Sequence, residues 1–270
     1  MLPTNLHQRF CRRLAPASAI LAFAFLVLAS ATATCAQNAS PFPQPDTLVG
    51  VGPAFPSLGR PLAFYEVLSG PELDDVRGCQ ALDRVVGFDL GRRRLTGGAA
   101  PERLFTAFWW GEPLATLGVA PLLGRTFTAD ELARGAKVAV LSERAWQRIF
   151  GGDPGAIGKT VEIEVPQVEG AARKEEHLVI GVLPPGVTVY ETDLWLPMWA
   201  PETALPRARR QFQILARIRP GQTVAGVNAE LSEIARRVET EHVAQHAEYA
   251  GWKLEAATWD DILRDSRFGR

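Results

Sequence analysis

The sequence offers little to chemistry that depends on sulfur, metal or phosphate. Only three of its 270 residues are cysteine. Cys11 and Cys35 fall in an N-terminal segment that reads as removable, so Cys79 would be left without a partner for an intrachain disulfide. Flanked by Gly78 and Gln80, with no base close in sequence, Cys79 reads as a small buried apolar residue and not as a nucleophile. An excess of one charge is also missing: 29 Lys and Arg stand against 30 Asp and Glu, scattered along the chain. No field of one sign is available to attract nucleic acid, so no nucleic-acid partner is expected. Beyond residue 33, charge, Pro or Gly interrupts every apolar run well short of the roughly 20 residues a membrane span needs.

Catalytic signatures fail in the same way. Gly152-Asp-Pro-Gly-Ala-Ile-Gly-Lys-Thr160 imitates a phosphate-cradling loop, but Asp153 occupies the position that requires glycine, and the segment lies after a helix and before a strand. It reads as a plain turn. His242 and His246 are one helical turn apart, yet Val243 stands where a metalloprotease carries Glu, and Glu239, Glu241, Gln245 and Glu248 make this a solvated polar face. No Gly-x-Ser-x-Gly is present, and Ser142 reads as a helix N-cap. The pairs Asp74-Asp75 and Asp260-Asp261 read as surface or capping carboxylates. No catalytic, cofactor-binding or metal-binding residue is assigned, no cofactor is expected, and the chain is expected not to be an enzyme.

What is present begins with Arg9, Arg12 and Arg13, followed by an uncharged run from Leu14 to Ala33 and small residues up to Ala36. Two readings fit this segment. One is an export signal cleaved after Ala36, giving a periplasmic protein; the other is a retained N-terminal anchor, which would be the chain's one membrane contact. Removal of residues 1–36 takes away three positive charges and leaves 26 against 30, a net of -4. Residues 37–46, rich in Pro and Ser, read as a flexible lead-in, residues 47–265 as the folded part and residues 266–270 as a tail.

Period-two patterning predicts strands at Thr47–Val51, Arg84–Leu90, Arg103–Trp109, Lys137–Leu141, Thr160–Val165, His177–Leu183, Phe212–Ile218 and Trp252–Ala256. Helices are predicted within Tyr65–Leu82 and at Glu112–Leu117, Ser142–Phe150 and Thr223–His246. In the last, Val224, Val227, Leu231, Ile234, Ala235 and Val238 share one face, with Thr223 as cap and Arg219-Pro-Gly221 as the preceding turn. Strands and helices in uneven alternation predict an α+β fold. Two lobes are expected, a mixed lobe formed by both ends of the chain and an inserted β-rich lobe at about 95–205. Gln167–Glu176 is expected to lengthen a hairpin loop. Adjacent Trp109 and Trp110 point to opposite strand faces, so one of them needs cover from another lobe or a partner.

Several segments in order then become recognisable. Leu95-Thr-Gly-Gly, Pro101-Glu-Arg, Leu117-Gly-Val-Ala-Pro-Leu-Leu-Gly-Arg-Thr-Phe127 and Val138-Ala-Val-Leu-Ser142 are followed by Trp146-Gln-Arg-Ile-Phe-Gly-Gly-Asp-Pro154, Ile157-Gly-Lys, Ile180-Gly-Val-Leu-Pro-Pro-Gly186, Asp193-Leu-Trp-Leu-Pro197 and Ala216-Arg-Ile-Arg-Pro-Gly221. Together they resemble the MacB-like periplasmic core domain of MacB/FtsX-type ABC transporter permeases. The motif positions read as structural: Gly118, Pro121, Gly124, Gly151, Gly158, Gly181, Pro184, Pro185 and Pro197 as turn formers, Phe127 and Trp146 as core anchors and Arg125 as a loop tie, with Phe150, Asp153 and Trp195 as further positions of the structural motif. The resemblance implies a module without catalysis that acts through a protein partner in an envelope ABC transport system. A truncated or split permease subunit and an envelope enzyme remain as alternatives.

Overall fold

One strand organises the molecule: β3, Leu82–Leu95, runs 14 residues and belongs to two layers at once. The computed structural model describes residues 40–96, 102–165, 171–198 and 206–264. Among these the further strands are β1 (Leu48–Ala54), β2 (Leu68–Ser69), β4 (Glu102–Trp110), β5 (Leu123–Gly124), β6 (Val138–Leu141), β7 (Thr160–Val165), β8 (Arg173–Val182), β9 (Leu194–Pro197), β10 (Arg210–Ile218) and β11 (Lys253–Thr258). The helices are α1 (Gly70–Arg77), α2 (Pro113–Leu117), α3 (Ala129–Arg134), α4 (Glu143–Phe150), α5 (Val224–His242) and α6 (Trp259–Arg264).

The first half of β3 joins the open sheet β11-β1-β10-β3, while its second half pairs with β4 and β7. Because β7 also pairs with β8, the order β3-β4-β9-β6-β8-β7 returns to β3 and closes a six-stranded barrel. Alternate residues of these strands fill it: Leu95, Leu104, Leu141, Val161, Ile163, Val179, Leu194 and Leu196 pack together inside. Each such side chain removed from water stabilises the fold by roughly 1.5–3 kcal/mol, so closure is driven by the interior and not by the short ladders alone.

On the open sheet, α5 lays the expected face of Val227, Leu231, Ile234, Ala235 and Val238 against β11 and its neighbours. Thr223 caps the helix by accepting from the Gly226 N–H at 3.1 Å. Ser142 caps α4 in the same way, accepting from the Ala145 N–H at 3.1 Å.

The α+β class stands; both ends of the chain supply β1, β10 and β11 of the open sheet together with α5, and the middle supplies the barrel, while a separation into two lobes is not confirmed. Pro41–Arg270 forms one compact unit, because β3 passes unbroken from the helix-covered sheet into the barrel. Trp109 and Trp110 are both covered from within the chain. Trp109 lies 4.8 Å from Trp195, and Trp110 lies 5.0 Å from Phe212 on the opposite face. Within the lead-in, Phe42 is buried, and Arg217 donates to the carbonyls of Pro43 and Gln44. Arg173–Glu176, expected in a loop, are instead the start of β8. No helix among the described residues is long and apolar enough to cross a membrane. The expected signal or anchor, residues 1–36, lies outside the described residues, as does the tail.

Candidate functional site

Most of the recognisable segments among the described residues lie around the barrel, while residues 216–221 run through β10 of the open sheet into the turn before α5. Gly118, at the end of α2, and Gly151, at the end of α4, adopt positive φ where each helix terminates. Pro121 lies in the link from α2 to β5. In β5, Gly124 (φ 69°) pairs with Gly181 of β8, and the Arg125 N–H donates to the Ile180 carbonyl at 2.9 Å. The Arg125 guanidinium grips both oxygens of Glu131 at 2.7 and 2.8 Å, which holds the Glu131 carboxyl down to about 2. Thr128 and Glu131 also form a capping box that starts α3, so Arg125 fixes a loop to a helix terminus.

Phe127 and Trp146 are buried, and the Trp146 indole N–H donates to the Asp153 carbonyl at 2.8 Å. Asp153 in turn accepts from the Gly155 N–H and from Lys159, so the false phosphate loop is a carboxylate-capped turn. The Gly158 N–H donates to the Val179 carbonyl, and the Phe150 ring packs on the barrel core beneath Lys159. Pro184, Pro185 and Gly186 form a tight turn closed by the Val187 N–H. Trp195 is fully buried and donates to Thr192, while Pro197 ends β9 opposite Trp109. Asp193 opens one of the recognisable segments, where no role of its own was legible. This buried residue bonds the Phe105 N–H and Arg148 through its carboxylate, tying α4 to the barrel wall.

The titratable groups weighed for catalysis are dispersed. His242 and His246 both lie beside the Tyr249 ring, and no group of three or more potential metal ligands occurs among the described residues. The Cys79 thiol donates to Glu230 at 3.3 Å, and burial pushes its pKa up to about 11. Glu72, fully buried in α1, is held by Arg210 at 2.8 Å and by the Tyr249 hydroxyl at 2.6 Å. That group locks α1 to β10 and to the short helix at Ala247–Tyr249. Three clefts, of about 200, 390 and 490 Å³, open at the start of α4, between α5 and β11, and beside β1. None of these three is lined by histidine or cysteine.

The fold is similar to those of solved extracytoplasmic domains of ABC transporters. The periplasmic region of MacB from Actinobacillus actinomycetemcomitans superposes with a TM-score of 0.56 at 15% identity, covering 81% of this chain and 91% of that one. The extracellular domain of the noncanonic ABC-type transporter YknZ from Gram-positive bacteria gives 0.53 at 14%, covering 77% and 98%. A domain of a putative permease from Porphyromonas gingivalis gives 0.53 at 19%, covering 85% and 95%. The chain belongs to the MacB-like periplasmic core domain family, whose model matches residues 18–234. No curated protein matches it.

Proposed function

We propose that this chain is a non-catalytic periplasmic module that works through protein–protein contacts in an ABC-type export or envelope transport system. The observation that carries this reading is the use made of the family segments: Gly124 with Gly181, Arg125 with Glu131 and Trp146 with Asp153 are spent on joining elements. A rigid body with its polar side chains committed to its own joints is built to transmit contact and position, not to make bonds.

The origin in a permease has its own support. β1 pairs with β11, with Val49 opposite Thr258, so the two ends of the described fold leave side by side. That is the geometry expected of a domain carried between two membrane helices, and it supports a place in a permease. Affinity capture from the envelope fraction tests the proposal. Recovery of an ABC ATPase or permease is expected; a reproducibly solitary protein, or hydrolytic activity that maps to a described residue, would count against it.

A further inference from the structure

On one face of the β3–β4 ribbon the opposed pairs run Phe88 with Trp109, Leu90 with Ala107, Arg92 with Phe105 and Arg94 with Arg103. The first two pairs lie in or against the apolar core, and the last two reach the surface, where all three arginines are exposed and Phe105 is half-buried. Arg94 and Arg103 therefore stand directly across from each other with like charge, an arrangement that destabilises a ladder. Other arginines around the barrel are matched: Arg125 with Glu131, Arg144 with Asp193, Arg148 with Glu102 and Asp193. Arg94 takes the Glu164 carboxylate from the adjoining strand at 3.8 Å. Neither Arg92, whose guanidinium lies 5.8 Å from the Phe105 ring centre, nor Arg103 has a carboxylate partner among the described residues.

We propose that this face, Arg92, Arg94 and Arg103 around Phe105, docks an extended acidic segment of a partner protein. The inference rests on the protein-contact reading above and names the surface and the partner chemistry. Arg94 shows what the face accepts, a carboxylate carried by a neighbouring strand, and Arg103 presents the same group one strand over without one. Guanidinium groups on the same ribbon face as a half-buried aromatic ring supply both forked carboxylate recognition and an apolar floor, the combination enriched in interface anchors. A phosphate-dense surface fits less well, because Glu162 and Glu164 sit on the adjoining strand of the same wall.

The test uses the purified chain, a fluorescein-labelled peptide alternating Glu and Ser, its Lys–Ser counterpart, and phosphatidylglycerol vesicles. Saturable, salt-sensitive binding of the acidic peptide alone is expected, weakened about tenfold or more in the triple variant Arg92→Glu, Arg94→Glu, Arg103→Glu. The single variant Arg103→Glu is expected to weaken binding while raising Tm, since it then faces Arg94 with opposite charge; a merely structural arginine would lower Tm. No binding of the acidic peptide, equal binding by the triple variant, or preference for vesicles overturns the inference. In envelope capture, equal recovery of ABC components by wild type and triple variant overturns this surface and leaves the proposed function standing. Failure of the wild type to recover them removes the proposed function, and the peptide measurement still decides the surface.

Discussion

Gly124 and Gly181 cross with no room for a side chain on either. A Cβ on Gly124 would lie 2.2 Å from the Ile180 carbonyl oxygen, and one on Gly181 would lie 2.3 Å from the Arg125 carbonyl oxygen. Both obstacles are backbone, which cannot swing aside. Gly181→Ala is expected to cost roughly 1–3 kcal/mol by overpacking. Gly124→Ala should cost more, because its φ of 69° disfavours any side chain. Urea denaturation of the two variants checks the size and the order.

The free edge of the sheet is guarded by a side chain. Asn228 of α5 accepts from the Ala256 N–H at 2.6 Å and donates to the Ala256 carbonyl at 3.1 Å, standing in for a neighbouring strand on β11. Asn228→Leu should lower stability by about 1–3 kcal/mol and expose an edge prone to pairing with another copy. Denaturation and concentration-dependent sedimentation report the two effects separately.

His177 introduces a pH dependence. It is buried on β8, with Glu175 of its own strand at 3.6 Å, Lys137 just before β6 close enough to repel its charged form, and apolar Val161 opposite on β7. Burial, aided by Lys137, pushes its pKa from 6.5 to about 4. The folded state therefore favours neutral imidazole: the contribution is fully present above about pH 6.5 and is lost as pH falls toward 4, on the order of 3 kcal/mol in all. His177→Leu should flatten the stability profile across that window relative to wild type, as read by Tm against pH.

Cys79 should be inert. With its pKa at about 11 and its thiol enclosed, labelling by a maleimide at pH 7 is expected only after unfolding. Rapid labelling of the native protein would contradict the assigned burial.

The Glu72 cluster should behave as a buried ion pair. Glu72→Gln leaves Arg210 poorly matched in a nearly closed site, with an expected loss of about 3 kcal/mol, whereas Tyr249→Phe removes one hydrogen bond and should cost about 1 kcal/mol. A double-mutant cycle on the two positions separates the contributions.

The elements legible in the sequence are those whose patterning is apolar and local. β7 occupies Thr160–Val165 as predicted, and α5 buries the face that its spacing marks out. β3 was read short at Leu90 because Gly91-Arg-Arg-Arg carries no outward alternation; its pairing comes from β4 and β7 instead of its own composition. β5 and β9 are too short to show a period, and α3 and α6, of six residues each, escaped for the same reason. The Thr128–Glu131 capping box was visible and could have located α3. Closure of the barrel depends on contacts between β3 and β7, far apart in sequence, which no local signal carries. The arginine face was hidden likewise, since cross-strand register alone sets Arg103 against Arg94.

A strand common to flat and closed parts of one body has a mechanical consequence. A push on the far end of the β3–β4 ribbon travels along continuous backbone to the layer under α5, with no loop in between to absorb it. Displacement at one extremity is thereby felt at the other as a tilt of the whole, as along a stiff lever.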